Sequence, residues 1–252
     1  RQTFLDARWY VNAKEKYNRY PLFNETISSN KDLEVLGSWM KNNKPFIMKT
    51  NHELALLRSI NIAKEYELNL WIFGSGYEYR RIVEIADNKP FIILPLDFPS
   101  TPDISDPYQE LTYTTSEFKH WDMAPDNPSI INEHGIRMAF TSHGLDKNEF
   151  RKNLNRSVQR SLTEKSALSA LTIIPSKMMG MENKLGKIKK GFIANLTITN
   201  GNYFEDKSEV ISVWIGGEEY PVKSPYDIDV SGLWNFSIGN KRYEMELNKQ
   251  KQ

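Results

Sequence analysis

With 252 residues, 39% of them hydrophobic, the chain has enough apolar material for one large α/β domain or a medium domain with a small appendage, and disorder is excluded. Lys and Arg (33) nearly cancel Asp and Glu (32), so charge gives no reason to expect a nucleic-acid or anionic-membrane partner. The absence of cysteine removes disulfides, thiol nucleophiles and thiolate metal sites together.

The elements follow in chain order. Phe4 to Tyr20 places Leu5, Trp9, Tyr10, Ala13 and Tyr17 close to a 3.6-residue spacing, which predicts an amphipathic helix ending before Pro21. A polar loop over Asn24 to Asn30 and a second helix over Lys31 to Asn43 come next. PFIMKT (45–50), LNLWIFG (68–74), PFIILPL (90–96) and GIRMAFTSHG (135–144) are short apolar runs that read as buried strands. Helical stretches separate them, at Glu53 to Glu67 and in YEYRRIVEIADN, and another begins near Lys147. That alternation predicts parallel βαβ units, four in number, like half of an eight-stranded barrel.

Asp97 to Pro128 is rich in Pro, Asp and Thr and reads as a long insertion beside the rim at the strands' C-terminal ends, or as a plain surface excursion. From Gly191 the period changes to two. FIANLTITNG and VISVWIGGEEY read as strands of a small sheet, with Gly201-Asn202 and Gly216-Gly217 as turns. SGLWNFSIGNKRYEMEL reads as a hairpin turning at Gly239-Asn240, in the same sheet or opening a further module. The basic cluster Lys184 to Lys190 reads as a solvated turn. No apolar run reaches the roughly 18 residues that span a bilayer. A first residue Arg1 and a polar tail suggest a piece of a longer protein, with the compartment left open by these residues.

ALSALTIIPSKMMGMENKLGKIKKGFIANLTIT resembles the C-terminal end of imidazolonepropionase-like members of the amidohydrolase superfamily, where the helix after the last barrel strand leads into a small β-sandwich. The resemblance extends more loosely over Pro45 to Tyr220. RQTFLDARWY, HWDMAP and TSHGL resemble a subgroup of long, tandem proteins of this kind from Gram-negative bacteria, which implies a periplasmic or exported setting. The implied architecture is an α/β fold: the C-terminal half, strands five to eight, of a TIM-like (β/α) barrel over residues 1–180. Strands of a composite β-sandwich would follow over 181–225, and an additional hairpin or further module over 226–252.

In such a family, a divalent metal in the barrel mouth activates water against a C–N bond. Its ligands are an early His-x-His pair and histidines ending strands five and six, and an Asp ending strand eight acts as base. This chain has no His-x-His. Matched to the motifs, the strand-five ligand position is Lys49, the strand-six position is Tyr77 within GSGYE, and TSDG becomes TSHG with His143 at the base. An ammonium has no lone pair for a metal, and a phenol with its ordinary pKa of about 10 binds well only as phenolate. His143 alone retains acid/base or ligand capacity.

The resemblance therefore implies a site with its key positions substituted and no cofactor held by this chain, with zinc or a similar divalent metal if the parent site is active. The alternative is a rearranged active site using His143. His52 and Glu78 are further pocket candidates, although His52 also suits a helix cap. His120 and Asp122, flanking Trp121, suit hydrogen bonds that fix the insertion, and His134 suits a helix C-terminus. GSGYE lacks the spacing of a phosphate loop, and neither Ser75 nor Ser142 sits in a G-x-S-x-G elbow. Half a barrel leaves two edges unpaired and an apolar interior open, so the expected partners are the missing N-terminal half or another copy of the chain, with a small-molecule C–N substrate for an active site.

Overall fold

The computed structural model of the chain describes residues 1–21, 27–146, 149–222 and 231–247. The start of the helix expected near Lys147 and part of the loop expected at 24–30 lie outside them. The described chain forms two compact units, Arg1–Phe192 and Ile193–Gln252. No helix among the described residues is long and apolar enough to cross a membrane.

In the first unit, helices α1 (Gln2–Arg19) and α2 (Lys31–Lys41) pair, with Lys14 bonded to Glu34 and Lys41 to Glu15. Asn30 caps α2 by accepting from the Leu33 amide. There follow β1 (Pro45–Lys49), α3 (Glu53–Tyr66), β2 (Asn69–Phe73), a 3-10 turn at Glu78–Arg81 running into α4 (Ile82–Ala86), and β3 (Phe91–Pro95). The insertion carries α5 (Pro107–Glu110) and α6 (Thr115–Met123), and α7 (Asn127–Glu133) leads to β4 (Arg137–Thr141). The four strands are parallel in the order β1-β2-β3-β4, the connectivity of half a TIM-like barrel, and the sheet is open rather than closed.

Burial alternates along β3, and each of β2, β3 and β4 turns at least one side chain fully inward. Ile72, Ile92, Leu94 and Met138 point toward the helices and are essentially inaccessible. They pack in the core with Leu56 and Ile60 of α3, Ile85 of α4 and Ile131 of α7. The opposite face is open: Ile47 is 59% exposed, and Trp71, Phe73, Phe91 and Ile93 are half-exposed. Parallel register sets Ile47, Trp71, Phe91 and Arg137 in one row, and Lys49, Phe73, Ile93 and Ala139 in the next row toward the strand C-termini. Arg137 stacks on Phe91 at 3.6 Å from the ring centroid.

After β4 come α8 (Glu149–Arg160), α9 (Glu164–Leu171) and α10 (Ile173–Met178). Residues 181–187 fold back onto α10: a Cβ on Gly186 would lie 2.6 Å from Ser176 Oγ and 2.7 Å from the Thr172 carbonyl oxygen, at φ +83°. Only glycine fits that approach. The lysines of the 184–190 cluster are exposed, as expected of a solvated turn.

The second unit holds the antiparallel sheet β5 (Leu196–Thr199), β6 (Val210–Ile215), β7 (Glu218–Pro221), and a separate two-stranded ladder, β8 (Gly232–Ile238) with β9 (Lys241–Leu247). The period-two reading holds in both, and the hairpin is a ladder of its own. The expected division near residue 225 lies outside the described residues.

Burial on the helix-covered face sets the stability of the first unit. Ile92→Ala is expected to cost about 2–5 kcal/mol in urea unfolding, whereas Val83→Ala, 62% exposed on α4, stays within about 0.5 kcal/mol.

Candidate functional site at the open strand ends

The C-terminal ends of the four strands gather the residues that sequence motifs single out, in two groups. Lys49 ends β1 on the open face and is exposed, its Nζ 5.6 Å from the Phe73 ring centroid. His143, in the turn after β4, is also exposed, and its ring meets Phe73 edge-on at 5.4 Å. Its backbone N–H donates to Thr141 Oγ1 at 3.2 Å. Asp97, just beyond β3, brings a carboxylate to the same turn, where Oδ2 would be 3.6 Å from a Cβ on Gly144. Lys49 and His143 thus share one aromatic plate, a residue that sequence matching passes over. Its place follows only from the register that sets Phe73 beside Lys49.

The second group is the loop after β2. Glu78 is 0% exposed. Its Oε1 accepts from the Ser75 backbone N–H at 2.6 Å and from Ser75 Oγ at 3.3 Å, and its Oε2 accepts from Asn127 Nδ2 at 2.7 Å. Asn127 Oδ1 in turn accepts from the Tyr79 N–H at 2.8 Å. The loop closes around the carboxylate so tightly that a Cβ on Gly74 would sit 2.9 Å from Glu78 Oε1. Glu78 therefore clasps the loop and does not face a ligand.

Tyr77 stacks on His120 of α6 with ring centroids 3.7 Å apart, and the Arg80 guanidinium lies 4.4 Å from the Tyr77 centroid on the same ring system. Arg80 also reaches Ser116 Oγ at 3.0 Å and Glu53 at 3.8 Å. Its Nε donates to the Tyr79 hydroxyl oxygen at 3.4 Å, which leaves that hydroxyl's proton for His120 Nδ1 at 3.3 Å. The chain Arg80 to Tyr79 to His120 needs a neutral imidazole accepting at Nδ1. Burial, reinforced by the nearby Arg80 charge, pushes His120 down to about 4. Helix α6 begins at a reciprocal cap between Thr114 and Glu117. Farther along, Arg160 binds Asp122 at 2.9 Å and Asp126 at 2.6 Å. His120 and Asp122 both fix the insertion.

His52 caps α3, its Nδ1 accepting from the Ala55 N–H at 3.2 Å, and His134 caps α7 and contacts the Ile130 carbonyl oxygen. The groups at the described strand ends are engaged as follows. Lys49 offers an ammonium, the Tyr77 ring lies against His120, and both Glu78 oxygens are occupied within the loop. Among the described residues no three His, Asp or Glu side chains converge on one point. What the rim does offer is a cation and an exposed imidazole flanking an apolar ring.

Two measurements test this geometry. Glu78→Ala leaves the buried Asn127 amide and the Ser75 N–H without their acceptor, and a loss of about 2–4 kcal/mol is expected in denaturant unfolding. Because the folded state holds His120 neutral down to about pH 4 while the unfolded chain protonates near 6.5, the unfolded state binds more protons between those values. Stability is then fully present above about pH 6.5 and falls as the pH drops toward 4, by at most roughly 3 kcal/mol. In His120→Gln that slope flattens in a pH series of unfolding curves.

The profile of the amidohydrolase family matches residues 31–220. Among solved structures, an amidohydrolase from Thermotoga maritima MSB8 aligns with a TM-score of 0.68 at 23% identity, over 86% of this chain and 53% of that one. A second amidohydrolase aligns with a TM-score of 0.53 at 15% identity, over 77% of this chain and 49% of that one. A Xaa-Pro dipeptidase with methionine bound in its active site gives 0.51 at 16% identity, over 79% and 50%. These identities speak for the fold, and the chain spans about half the length of these structures. No curated protein matches it. With four parallel βα units in sequential order and the family profile covering most of the sequence, the chain belongs to the amidohydrolase family.

Proposed function

We propose that this chain is an amidohydrolase-type half-barrel whose own strand ends no longer support metal-dependent C–N hydrolysis, and that it acts as a scaffold or binding module beside the rest of the protein. The observation that carries this reading is the engagement of the substituted positions. Tyr77 and Glu78 are built into the loop and the insertion that cover the end of β2, and Lys49 presents a positive charge at a ligand position. A fixed cation there opposes a dication by Coulomb repulsion.

The open sheet face bears on the partner. Parallel sheets are ordinarily covered on both faces, and in the row Ile47, Trp71, Phe91 here Ile47 is exposed and the two aromatics are only partly buried. We infer that further barrel strands, from an N-terminal half or a second copy, complete it. The hydrolase kinship of the family makes a small C–N substrate the natural ligand of an active relative. In this chain, the alternative of a working site rests on the exposure of His143, in a turn that Asp97 reaches at Gly144.

Elemental analysis of the full-length protein separates the two, with His143→Ala alongside. The proposal expects the same metal content in both, whether nil or held elsewhere. Stoichiometric zinc that falls on substitution would mean that His143 ligates a rearranged working site.

A further inference from the structure

The positive charge that a metal brings to a barrel mouth is supplied at this rim by a side chain. We propose that Lys49, Phe73 and His143 form a binding site for a small carboxylate with an apolar or aromatic body, held without metal. The inference deepens the proposed function and rests on its reading of the strand ends as metal-free.

Three observations support it. Lys49 stands at the C-terminal end of its strand on the open face, where barrel folds bind ligands, and among the described residues its ammonium has no carboxylate partner. Its ammonium lies 5.6 Å from the Phe73 ring centroid, and the same ring meets the exposed His143 imidazole edge-on. Two groups able to donate hydrogen bonds therefore flank one apolar plate. The Phe73 ring itself, one row nearer the rim than Ile47 and Trp71, supplies the apolar surface that suits the body of the ligand.

The neighbouring acids do not neutralise the cation. Glu78 is enclosed by Ser75 and Asn127, and Glu53 faces Arg80. Asp97 lies at the Gly144 turn, so a ligand carboxylate is directed toward the Lys49 side of the plate. A carboxylate placed there gains charge-assisted hydrogen bonds that a neutral amide of the same shape cannot make.

The test is calorimetric titration of the full-length protein near neutral pH, with chelator present, using phenylacetate and its neutral isostere phenylacetamide. Phenylacetate is expected to bind roughly tenfold more tightly or better, the discrimination of one charge-assisted bond. Lys49→Gln should erase that preference, and Lys49→Arg should keep most of it. Because the side chain is exposed, circular dichroism should show both variants folded. Equal binding of the two probes, or a preference that survives Lys49→Gln, would overturn the site. So would a preference that requires added zinc, since a metal and not Lys49 would then hold the carboxylate. The metal analysis stays independent: a metal lost on His143→Ala, together with a Lys49-dependent preference in chelator, would overturn the metal-free reading and leave this site standing.

Discussion

Everything in the first unit depends on one asymmetry of its parallel sheet. Helices α3, α4, α7 and their neighbours cover one face; on the other, Ile47 and Lys49 are exposed and Trp71, Phe73, Phe91 and Ile93 only partly buried, while Ala139 at the β4 end is buried. The covered face holds the unit together through side chains such as Ile72 and Ile92, which lose essentially all their solvent contact. The open face gives up that gain. In exchange it presents a layered apolar surface whose upper edge is the rim, and every functional inference here concerns either that surface or that edge.

The rim itself is divided in character. Around β2 it is a locked polar cluster, in which a buried carboxylate, an asparagine from α7 and a histidine from α6 tie together segments far apart in sequence. Such networks are rigid when every member is satisfied. Between β1 and β4 the rim is loose by comparison, with Lys49 and His143 exposed on either side of Phe73. In the locked portion the polar groups are engaged with one another, and the loose portion keeps exposed groups able to meet a solute.

Much of this was legible in the sequence. Apolar runs separated by helical patterns specify sequential parallel strands, and the tail motif points to the family, because hydrophobic period and glycine placement are local properties. Helix α6 also has a local signature, since Thr114 and Glu117 stand three apart, although the surrounding Pro and Asp make the segment read as irregular. The site was legible only in part. Motif matching finds Lys49, Tyr77 and His143 at strand ends, but says nothing of what they touch. That Glu78 is sequestered depends on Asn127, 49 residues away. That Phe73 joins Lys49 to His143 depends on strand register and on the turn after β4. Both are tertiary facts with no periodicity of their own.

The central claim is that further barrel strands complete the open face in the intact protein. Trp71 stands in the middle of that face and is half-exposed in this chain, so it reports the claim directly. The measurement is the difference in tryptophan emission, and in its quenching by acrylamide, between the full-length protein and Trp71→Phe. The account predicts that the Trp71 component is blue-shifted and shielded from quencher. A component quenched as readily as free tryptophan would contradict it, since the face would then be open to water in the intact protein.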